Sequence, residues 1–326
     1  MLIYVNFLEL SVLSLIIPVY KNEASIPDLL SVISEMNKKL DGLFEAVFVV
    51  DGSPDRCYPI LRELLPKQSF RSQLVLHSKN FGSFIAVRTG LEYGQGERFA
   101  VMAADLQEPP EMILEMNEVL LTPDTDVVIG TREGRKDPGL SSLFSNLFWS
   151  LYRRWVISDI PSGGVDMFAC SRKFRDVLLT LEEKNSSLIA QVFWLGFNRK
   201  TVTYERQERR HGKSAWTFRK KLTYLMDSIF SFTDLPVRFL IYIGVTGSLL
   251  AGLLGMIVLL ARLTGLIDVQ GYSMTMITIC FFSCLNLLGL GVVGSYAWRG
   301  YENSKQRPVS IRVKADVFGE NNETTP

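Results

Sequence analysis

Along residues 14–129, short apolar runs alternate with segments whose apolar side chains recur at helical spacing. The runs are bounded by turn residues and predict strands at 14–18, 46–50, 74–77, 99–103 and 126–129. The intervening segments predict helices at 26–40, 59–65, 84–93 and 111–120. This alternation is typical of a mostly parallel, doubly wound, Rossmann-like α/β sheet.

Two much longer apolar stretches follow, at 239–261 and 272–298, and each is long enough to cross a bilayer core. The loop between them, which contains Asp268, is too short to hold a domain, so the stretches predict a transmembrane hairpin. Basic residues flank the hairpin: Arg206, Arg209, Arg210, Lys213, Arg219, Lys220, Lys221 and Arg238 before it, and Arg299, Lys305, Arg307, Arg312 and Lys314 after it. The loop has only Arg262 at its edge, so the positive-inside rule predicts that both ends are cytoplasmic.

The segment 217–236 mixes lysines with apolar residues at helical spacing, which predicts an amphipathic helix on the membrane surface. An ordinary core helix with a basic edge is the alternative. The predicted organisation is a cytoplasmic domain at 1–216, this helix, the two spans within 237–299, and a cytoplasmic tail at 300–326. Small residues recur in the first span at Gly247, Ala251 and Gly255, a pattern that packs hairpins or brings subunits together as a homo-oligomer.

Composition agrees with a soluble domain joined to an anchor. The chain of 326 residues has a formal net charge of +1 and a mean hydropathy of +0.16, which argues against a nucleic-acid-binding protein and a fully embedded transporter. Its 4 cysteines lack metal-like spacing and indicate no disulfide framework.

The strand predicted at 99–103 runs into a single acidic residue, Asp105, and is then broken by Pro109 and Pro110. In an extended strand alternate side chains share a face, so Asp105 and Gln107 are predicted to lie side by side and to present two oxygen ligands to a hard cation. An ordinary acidic turn after a strand is the alternative. Polar groups also follow the three preceding strands, at 18–20, 51–53 and 79–82. Singly these are more often turns, but together they predict a nucleotide crevice at the carboxyl edge of the sheet.

These motifs resemble those of the family 2 glycosyltransferases with a GT-A fold. The chain is most similar to the polyprenyl-phosphate branch, which includes dolichol-phosphate-mannose synthases and bactoprenol glucosyltransferases. The similarity covers nearly the whole chain, through the motifs at 17–20, 51–53, 80–82 with Ala86 and Gly90, 104–107, 130–132, 164–166, Arg209 with Gly212 and Ser214, and the hairpin.

The resemblance implies a role for each matching residue. Asp105 and Gln107 would hold Mg²⁺ or Mn²⁺ on the donor diphosphate, and Arg132 would bind the lipid phosphate. Asp166 would lie at the reacting centre, either as a base or as a group that orients the sugar or the phosphate. Arg209 would close over the diphosphate. The other implied substrate-binding residues, several of them lining the nucleotide site, are Pro18, Tyr20, Glu23, Asp51, Lys79, Asn80, Gly82, Arg135, Ser145 and Ser214.

The chain departs from the family pattern at several positions. Ala103 stands where most relatives have the first aspartate of an Asp-x-Asp motif, so one carboxylate is missing. Mg²⁺ often takes one or two protein carboxylates and completes its shell with phosphates and water, so Asp105 with Gln107 can suffice. Asn146 and Ala215 replace an arginine and a lysine common in relatives, which shifts the acceptor pocket towards Arg132 and Arg135.

The predicted reaction is an inverting transfer of a hexose-type sugar, with UDP as the expected nucleotide, to undecaprenyl phosphate at the inner membrane of a bacterium. The acceptor phosphate is already largely ionised at neutral pH, so it is a competent nucleophile. The lipid-linked product would be flipped by a separate protein and used on a cell-envelope glycan such as O-antigen. Two alternatives are a nucleotide-sugar-binding protein that lost turnover with the Ala103 change, and a processive polysaccharide synthase. The synthase is disfavoured because the chain has no Gln-x-x-Arg-Trp motif and too few spans.

Overall fold

A computed structural model describes residues 12–132, 150, 152–154, 157, 159–161, 165, 167–183, 186–207, 218–264 and 272–319. The chain divides into two compact units. The first comprises Met1–Glu182, Ser187–Lys220 and Pro308–Pro326, and the second comprises Glu183–Ser186 and Lys221–Arg307. The first unit therefore includes chain on both sides of the second.

The first unit is built on one sheet. Among the described residues its strands are β1 (Leu13–Val19), β2 (Phe44–Val50), β3 (Arg71–His77), β4 (Arg98–Val101), β5 (Val127–Arg132), β6 (Met167–Ser171), β7 (Arg199–Tyr204) and β8 (Arg312–Phe318). Their order in the sheet is β7-β5-β6-β4-β1-β2-β3-β8. Neighbouring strands pair in parallel, with two exceptions. Strand β6 runs antiparallel to β4 and β5, and β8 runs antiparallel to β3.

Helices flank this sheet and continue into the second unit. They are α1 (Ile26–Lys39), α2 (Cys57–Leu64), α3 (Ser83–Tyr93), α4 (Pro110–Leu120), α5 (Arg172–Leu179), α6 (Leu188–Trp194), α7 (Phe218–Phe232), α8 (Leu235–Leu263) and α9 (Tyr272–Ser304).

Strand β2 shows why the apolar runs become central strands. All seven of its residues are buried, because a parallel strand between helical layers needs apolar side chains on both faces. The predicted mostly parallel α/β sheet is confirmed, and each strand and helix predicted within 14–129 is present.

The end of the chain differs from the prediction of a tail at 300–326. Helix α9 continues to Ser304, and β8 then pairs with β3 and closes that edge of the sheet. The Tyr58 hydroxyl donates to Asp316 at 2.8 Å, and Arg312 lies 3.2 Å from Glu92. Charged residues alternate with Val313, Ala315 and Val317 along β8, and all three apolar residues are exposed at this edge of the sheet. Charged side chains on an edge strand disfavour further strand pairing.

The second unit contains the two candidate membrane spans, Leu235–Leu254 in α8 and Phe281–Ser304 in α9, which qualify by length and composition. Helix α7 is joined to the end of α9 by a compact set of contacts. Arg299 lies 2.7 Å from the Asp227 carboxylate and stacks over the Phe230 ring, which also packs against Tyr296. The Tyr296 hydroxyl donates to the Thr233 carbonyl at 3.2 Å. These contacts fix α7 on α9 within this unit.

Candidate active site

The carboxyl ends of β1, β2, β3 and β4 meet at one edge of the sheet. Strands β1 and β4 are parallel neighbours, with Ile16 opposite Val101, but the chain leaves them in opposite directions across the sheet. This reversal creates a crevice beyond the strand ends, where open α/β sheets bind ligands. The predicted residue Pro18 lies near the end of β1 and Tyr20 follows that strand, Asp51 directly follows β2, and the loops at 79–82 and 105–107 follow β3 and β4.

Loops after β1 and β2 form an open groove of about 400 Å³, lined by Lys21, Asn22, Glu23, Ala24, Ser25, Pro54 and Asp55. The Lys21 amide donates to Ser53 Oγ at 2.8 Å, and Lys21 has a φ of 56°, which is uncommon for a residue with a side chain. The predicted binding residue Glu23 accepts the Arg56 amide at 2.9 Å. Tyr20 is half-buried, with the Lys21 ammonium 5.5 Å from its ring centre.

Asp55 lines this groove and Cys57 lies buried beside it, in hydrogen-bond contact with Asp55 and Asn22, and sequence reasoning did not identify either residue as part of the site. Partial burial alone would raise the pKa of Asp55, but hydrogen bonds from Ser53 and Cys57 bring that pKa below its ordinary value. Burial, together with the adjacent Asp55 carboxylate, raises the pKa of the Cys57 thiol to about 12. The thiol therefore stays protonated at neutral pH and serves as a hydrogen-bonding group.

Asp51 faces inward and organises the neighbouring loop. Its carboxylate, 2% exposed, accepts the Phe81 amide and the Gly82 amide at 2.8 Å each and lies 2.9 Å from His77 Nδ1. Both oxygens are thus engaged within the protein, and a direct contact with substrate stays a prediction. Lys79 and Asn80, in the loop that Asp51 holds, are exposed beside the crevice.

Two glycines allow the loops after β2 and β3 to approach each other. A Cβ on Gly52 would lie 2.4 Å from the Asn80 backbone nitrogen, which no side chain can accommodate. Gly82 has a φ of 101°, a conformation that disfavours every residue with a side chain. The predicted binding residue Gly82 is therefore required for the conformation that lets its amide reach Asp51.

The structure corrects the expected geometry around Asp105. Strand β4 ends at Val101, and Asp105 lies in a turn in which the Leu106 amide donates to the Ala103 carbonyl at 3.4 Å. Leu106 has a φ of 55° and its side chain is buried, so the chain between Asp105 and Gln107 is not extended. The two residues do not share the face of a strand, because the left-handed residue between them ends the alternation. Asp105 is 9% exposed, and the backbone amide of Gln107 donates to its carboxylate at 3.3 Å.

A segment after β7 contacts the same turn, and sequence reasoning missed this contact. The backbone amide of Gln207 donates to the backbone carbonyl of Gln107 at 2.9 Å. The Arg206 guanidinium donates to the side-chain oxygen of Gln107, Oε1. The charge pattern of the sequence predicts only a topological role for Arg206. Arg206 instead binds the side-chain oxygen predicted to hold a metal.

The donor set fits a divalent metal that shares its coordination with a substrate. Within the described part of the chain, no cluster of three or more His, Cys, Asp or Glu residues is suited to hold a metal ion by itself. The Asp105 carboxylate and the Gln107 amide oxygen are hard oxygen donors, the type that Mg²⁺ and Mn²⁺ prefer. A protein site with one carboxylate requires phosphate oxygens or water to complete the shell.

The predicted acceptor side of the site is described only at Arg132. This residue ends β5, is half-buried, and lies opposite Tyr204 of β7. Strand β6 begins with Met167 opposite Gly130, at the same edge of the sheet. The remaining predicted residues lie outside the described residues: Asp166, Arg135, Ser145, Arg209 and Ser214.

Comparisons with known proteins agree with this architecture. Residues 14–179 match the family model described as glycosyl transferase family 2. The chain is 34% identical to an uncharacterized glycosyltransferase, YkcC, of Bacillus subtilis, over 93% of each chain. It is 29% identical to the bactoprenol glucosyl transferase of Shigella phage SfV, over 92% of this chain and 97% of that one. An undecaprenyl-phosphate 4-deoxy-4-formamido-L-arabinose transferase of Aeromonas hydrophila is 28% identical over 93% of each chain.

Among solved structures, the mannosyltransferase PcManGT of Pyrobaculum calidifontis, in complex with GDP-Man and Mn²⁺, matches with a TM-score of 0.43 at 18% identity, covering 88% of this chain and 87% of that one. The predicted GT-A fold and the predicted family are confirmed by the sheet order and the family match. From the family model that matches residues 14–179 and the 34% identity to YkcC, we conclude that the chain belongs to glycosyl transferase family 2.

Proposed function

We propose that this protein transfers a sugar from a nucleotide-sugar, with UDP as the expected nucleotide and a hexose as the expected sugar, to undecaprenyl phosphate. One observation supports the binding of a nucleotide-sugar donor: the loops after β1 to β4 converge on one crevice, and Asp105 lies where the strand order reverses. The similarity to a bactoprenol glucosyl transferase and to an undecaprenyl-phosphate sugar transferase supports the acceptor half.

In this proposal the acceptor phosphate oxygen attacks the anomeric carbon directly. A new carbon–oxygen bond forms as the bond to the nucleoside diphosphate breaks, and the configuration at that carbon inverts. The acceptor is already ionised, so the protein's main task is to bring two polyanions together. Arg132, at the end of β5, is suited to bind the acceptor phosphate, because a guanidinium pairs with phosphate through two hydrogen bonds.

Neutralising the departing diphosphate is the second task. A divalent metal, when bound at Asp105 and Gln107, supplies positive charge to the diphosphate oxygens. Asp105 holds its place through the turn at Ala103–Leu106, whereas Gln107 must release Arg206 to offer its side-chain oxygen. Asp166 keeps both of its predicted roles, as a base or as an orienting group. Arg209 keeps its predicted role over the diphosphate.

We propose that the sheet unit lies on the cytoplasmic side of the inner membrane of a bacterium. Strand β8 belongs to the same sheet as β1, so the chain before α8 and the chain after α9 must lie on one side of any membrane that the two helices cross. The basic residues on both sides of the hairpin favour the cytoplasm for that side. A separate flippase would then move the lipid-linked sugar outward for use on an envelope glycan.

The test is transfer from a panel of radiolabelled nucleotide-sugars to undecaprenyl phosphate by the full chain in detergent, with and without EDTA, followed by lipid extraction. We expect one donor to give a labelled lipid and EDTA to abolish it. Acid release of the labelled sugar from that lipid would identify the sugar. Tight nucleotide binding without transfer from any donor would contradict the proposal and favour a binding protein that has lost turnover.

A further inference from the structure

A buried chain of hydrogen bonds connects the segment after the apolar hairpin with the loop after β3. Ser310 Oγ lies 3.1 Å from Thr89 Oγ1, which lies 3.0 Å from His77 Nε2. His77 Nδ1 lies 2.9 Å from Asp51 Oδ1. All four residues belong to the first unit, and none is more than 4% exposed. This series of hydrogen bonds thus runs through the interior of the sheet unit, where its side chains are almost completely shielded from solvent.

The four groups form one continuous hydrogen-bonded series. The imidazole of His77 bonds to Asp51 through one ring nitrogen and to Thr89 through the other, so its orientation is fixed on both sides. A hydroxyl can donate one hydrogen bond and accept others, so Thr89 can bond to His77 and to Ser310 at the same time. Ser310 is therefore the end of the series that lies farthest from Asp51.

Both ends of the loop after β3 depend on this arrangement. Asp51 accepts the amides of Phe81 and Gly82 at one end of the loop. At the other end, the Ser78 amide donates at 3.0 Å to the carbonyl of Ile311, the residue after Ser310. The exposed residues Lys79 and Asn80 lie between these two anchors.

We propose that Ser310 is a positioning residue for the donor site: through Thr89, His77 and Asp51 it sets the conformation of the loop at 79–82. The inference rests on the proposed function in one respect, namely that this loop binds the donor nucleotide. It follows that the donor site is complete only when the chain has passed through the hairpin and docked β8 on β3. The nucleotide site and the segment after the membrane hairpin are parts of one folded structure.

The experiment compares Ser310→Ala with Asp316→Asn in the full chain in detergent. Asp316 also lies in the post-hairpin segment, where it accepts from Tyr58, but it takes no part in the buried chain. Asp316→Asn therefore weakens the docking of β8 and leaves the hydroxyl series intact. Ser310→Thr keeps a hydroxyl at the first position and serves as the conservative variant.

The first measurement is amide hydrogen exchange of a peptide that contains Phe81 and Gly82, which needs no substrate. We expect exchange to quicken in Ser310→Ala, to stay near wild type in Asp316→Asn, and to be restored in Ser310→Thr. The second measurement is the donor KM, which we expect to rise about fivefold in Ser310→Ala, the factor that loss of one hydrogen bond corresponds to, with a smaller change in kcat. Thr89→Val, paired with Thr89→Ser, should reproduce the pattern.

Unchanged exchange at Phe81 and Gly82 in both Ser310→Ala and Thr89→Val would overturn the inference. So would a rise in donor KM of equal size in Asp316→Asn, since that would assign the effect to docking of β8 in general. Failure of the proposed function appears differently, because the wild-type protein would then form no lipid product with any donor. In that case the exchange result still decides whether Ser310 positions the loop.

Discussion

Glu45 and Asp51 lie at opposite ends of β2 and are equally well buried, at 1% and 2% exposed. Each carboxylate is saturated with hydrogen bonds. Glu45 accepts from the Ser14 hydroxyl, from the backbone amides of Gln95 and Gly96, and from the Gln73 side chain. Asp51 accepts from two backbone amides and from His77. Burial and hydrogen bonding alone do not distinguish a structural carboxylate from one that serves a site.

The difference lies in what each carboxylate holds. Glu45 ties β1 and β3 to the connection between α3 and β4, at the amino edge of the sheet. Asp51 holds the loop that presents Lys79 and Asn80 at the carboxyl edge, where ligands of α/β sheets bind. The direction of the strand, rather than the environment of the carboxylate, assigns the role.

The largest effect is expected at Asp105, which stands at the carboxyl edge and is the metal-binding carboxylate of the proposed site. Asp105→Asn should lower kcat by about a hundredfold or more, because metal charge at the diphosphate is lost from the transition state. Turnover across a Mg²⁺ or Mn²⁺ titration gives the measurement. Glu111→Gln, an exposed acidic change in α4, is the matched control and should leave kcat unchanged. Wild-type turnover in Asp105→Asn would show that Asp105 does not bind a metal that the reaction requires.

The second prediction compares the two ends of β2 directly. Glu45→Gln should destabilise the sheet unit by about 1–3 kcal/mol, because several buried donors lose a charged acceptor, and it should leave the donor KM near wild type. Asp51→Asn should cost comparable stability and also raise the donor KM. Thermal unfolding in detergent and initial rates over donor concentration measure the two quantities. An equal rise in KM for both variants would show that the two edges are not functionally distinct.

A smaller effect is expected where Arg206 binds Gln107. Arg206→Ala should lower the half-saturating metal concentration about twofold to fivefold, since an exposed charged hydrogen bond no longer competes for Gln107 Oε1. Lys200→Ala, which removes an exposed cation from the start of β7, the strand that precedes Arg206, is the control. A higher half-saturating concentration in Arg206→Ala would instead assign Arg206 to binding of the metal–donor complex.

The last prediction concerns the reactivity of Cys57, which is buried beside the groove at the carboxyl edge. Its pKa of about 12 leaves almost no thiolate at pH 8, so iodoacetamide should modify Cys57 in the folded protein far more slowly than in the unfolded protein. Peptide mass spectrometry before and after denaturation measures this. Rapid alkylation of Cys57 in the folded protein would show that its thiol is accessible to solvent.

The local architecture of residues 12–132 could be predicted because it is encoded locally. Apolar runs of strand length, separated by helical periodicity, set the order of the elements, and the polar residues after each run marked the carboxyl edge. The error at Asp105 had a local cause as well. The alternation rule holds only while the chain is extended, and Leu106 adopts a left-handed conformation that its residue type does not announce.

The sequence by itself determined the α/β class, the two long apolar helices, the family motifs and the residues at the ends of β1 to β5, since periodicity and turn chemistry act over short distances. Only the tertiary structure decided that Asp51 faces inward, that Arg206 binds Gln107, and that β8 completes the sheet. These outcomes depend on pairing between distant segments, with Thr89 and Ser310 separated by 221 positions and Tyr58 and Asp316 by 258. The alternation in β8 is compatible with pairing at any free edge, and the edge of β3 becomes its partner only once the sheet has formed.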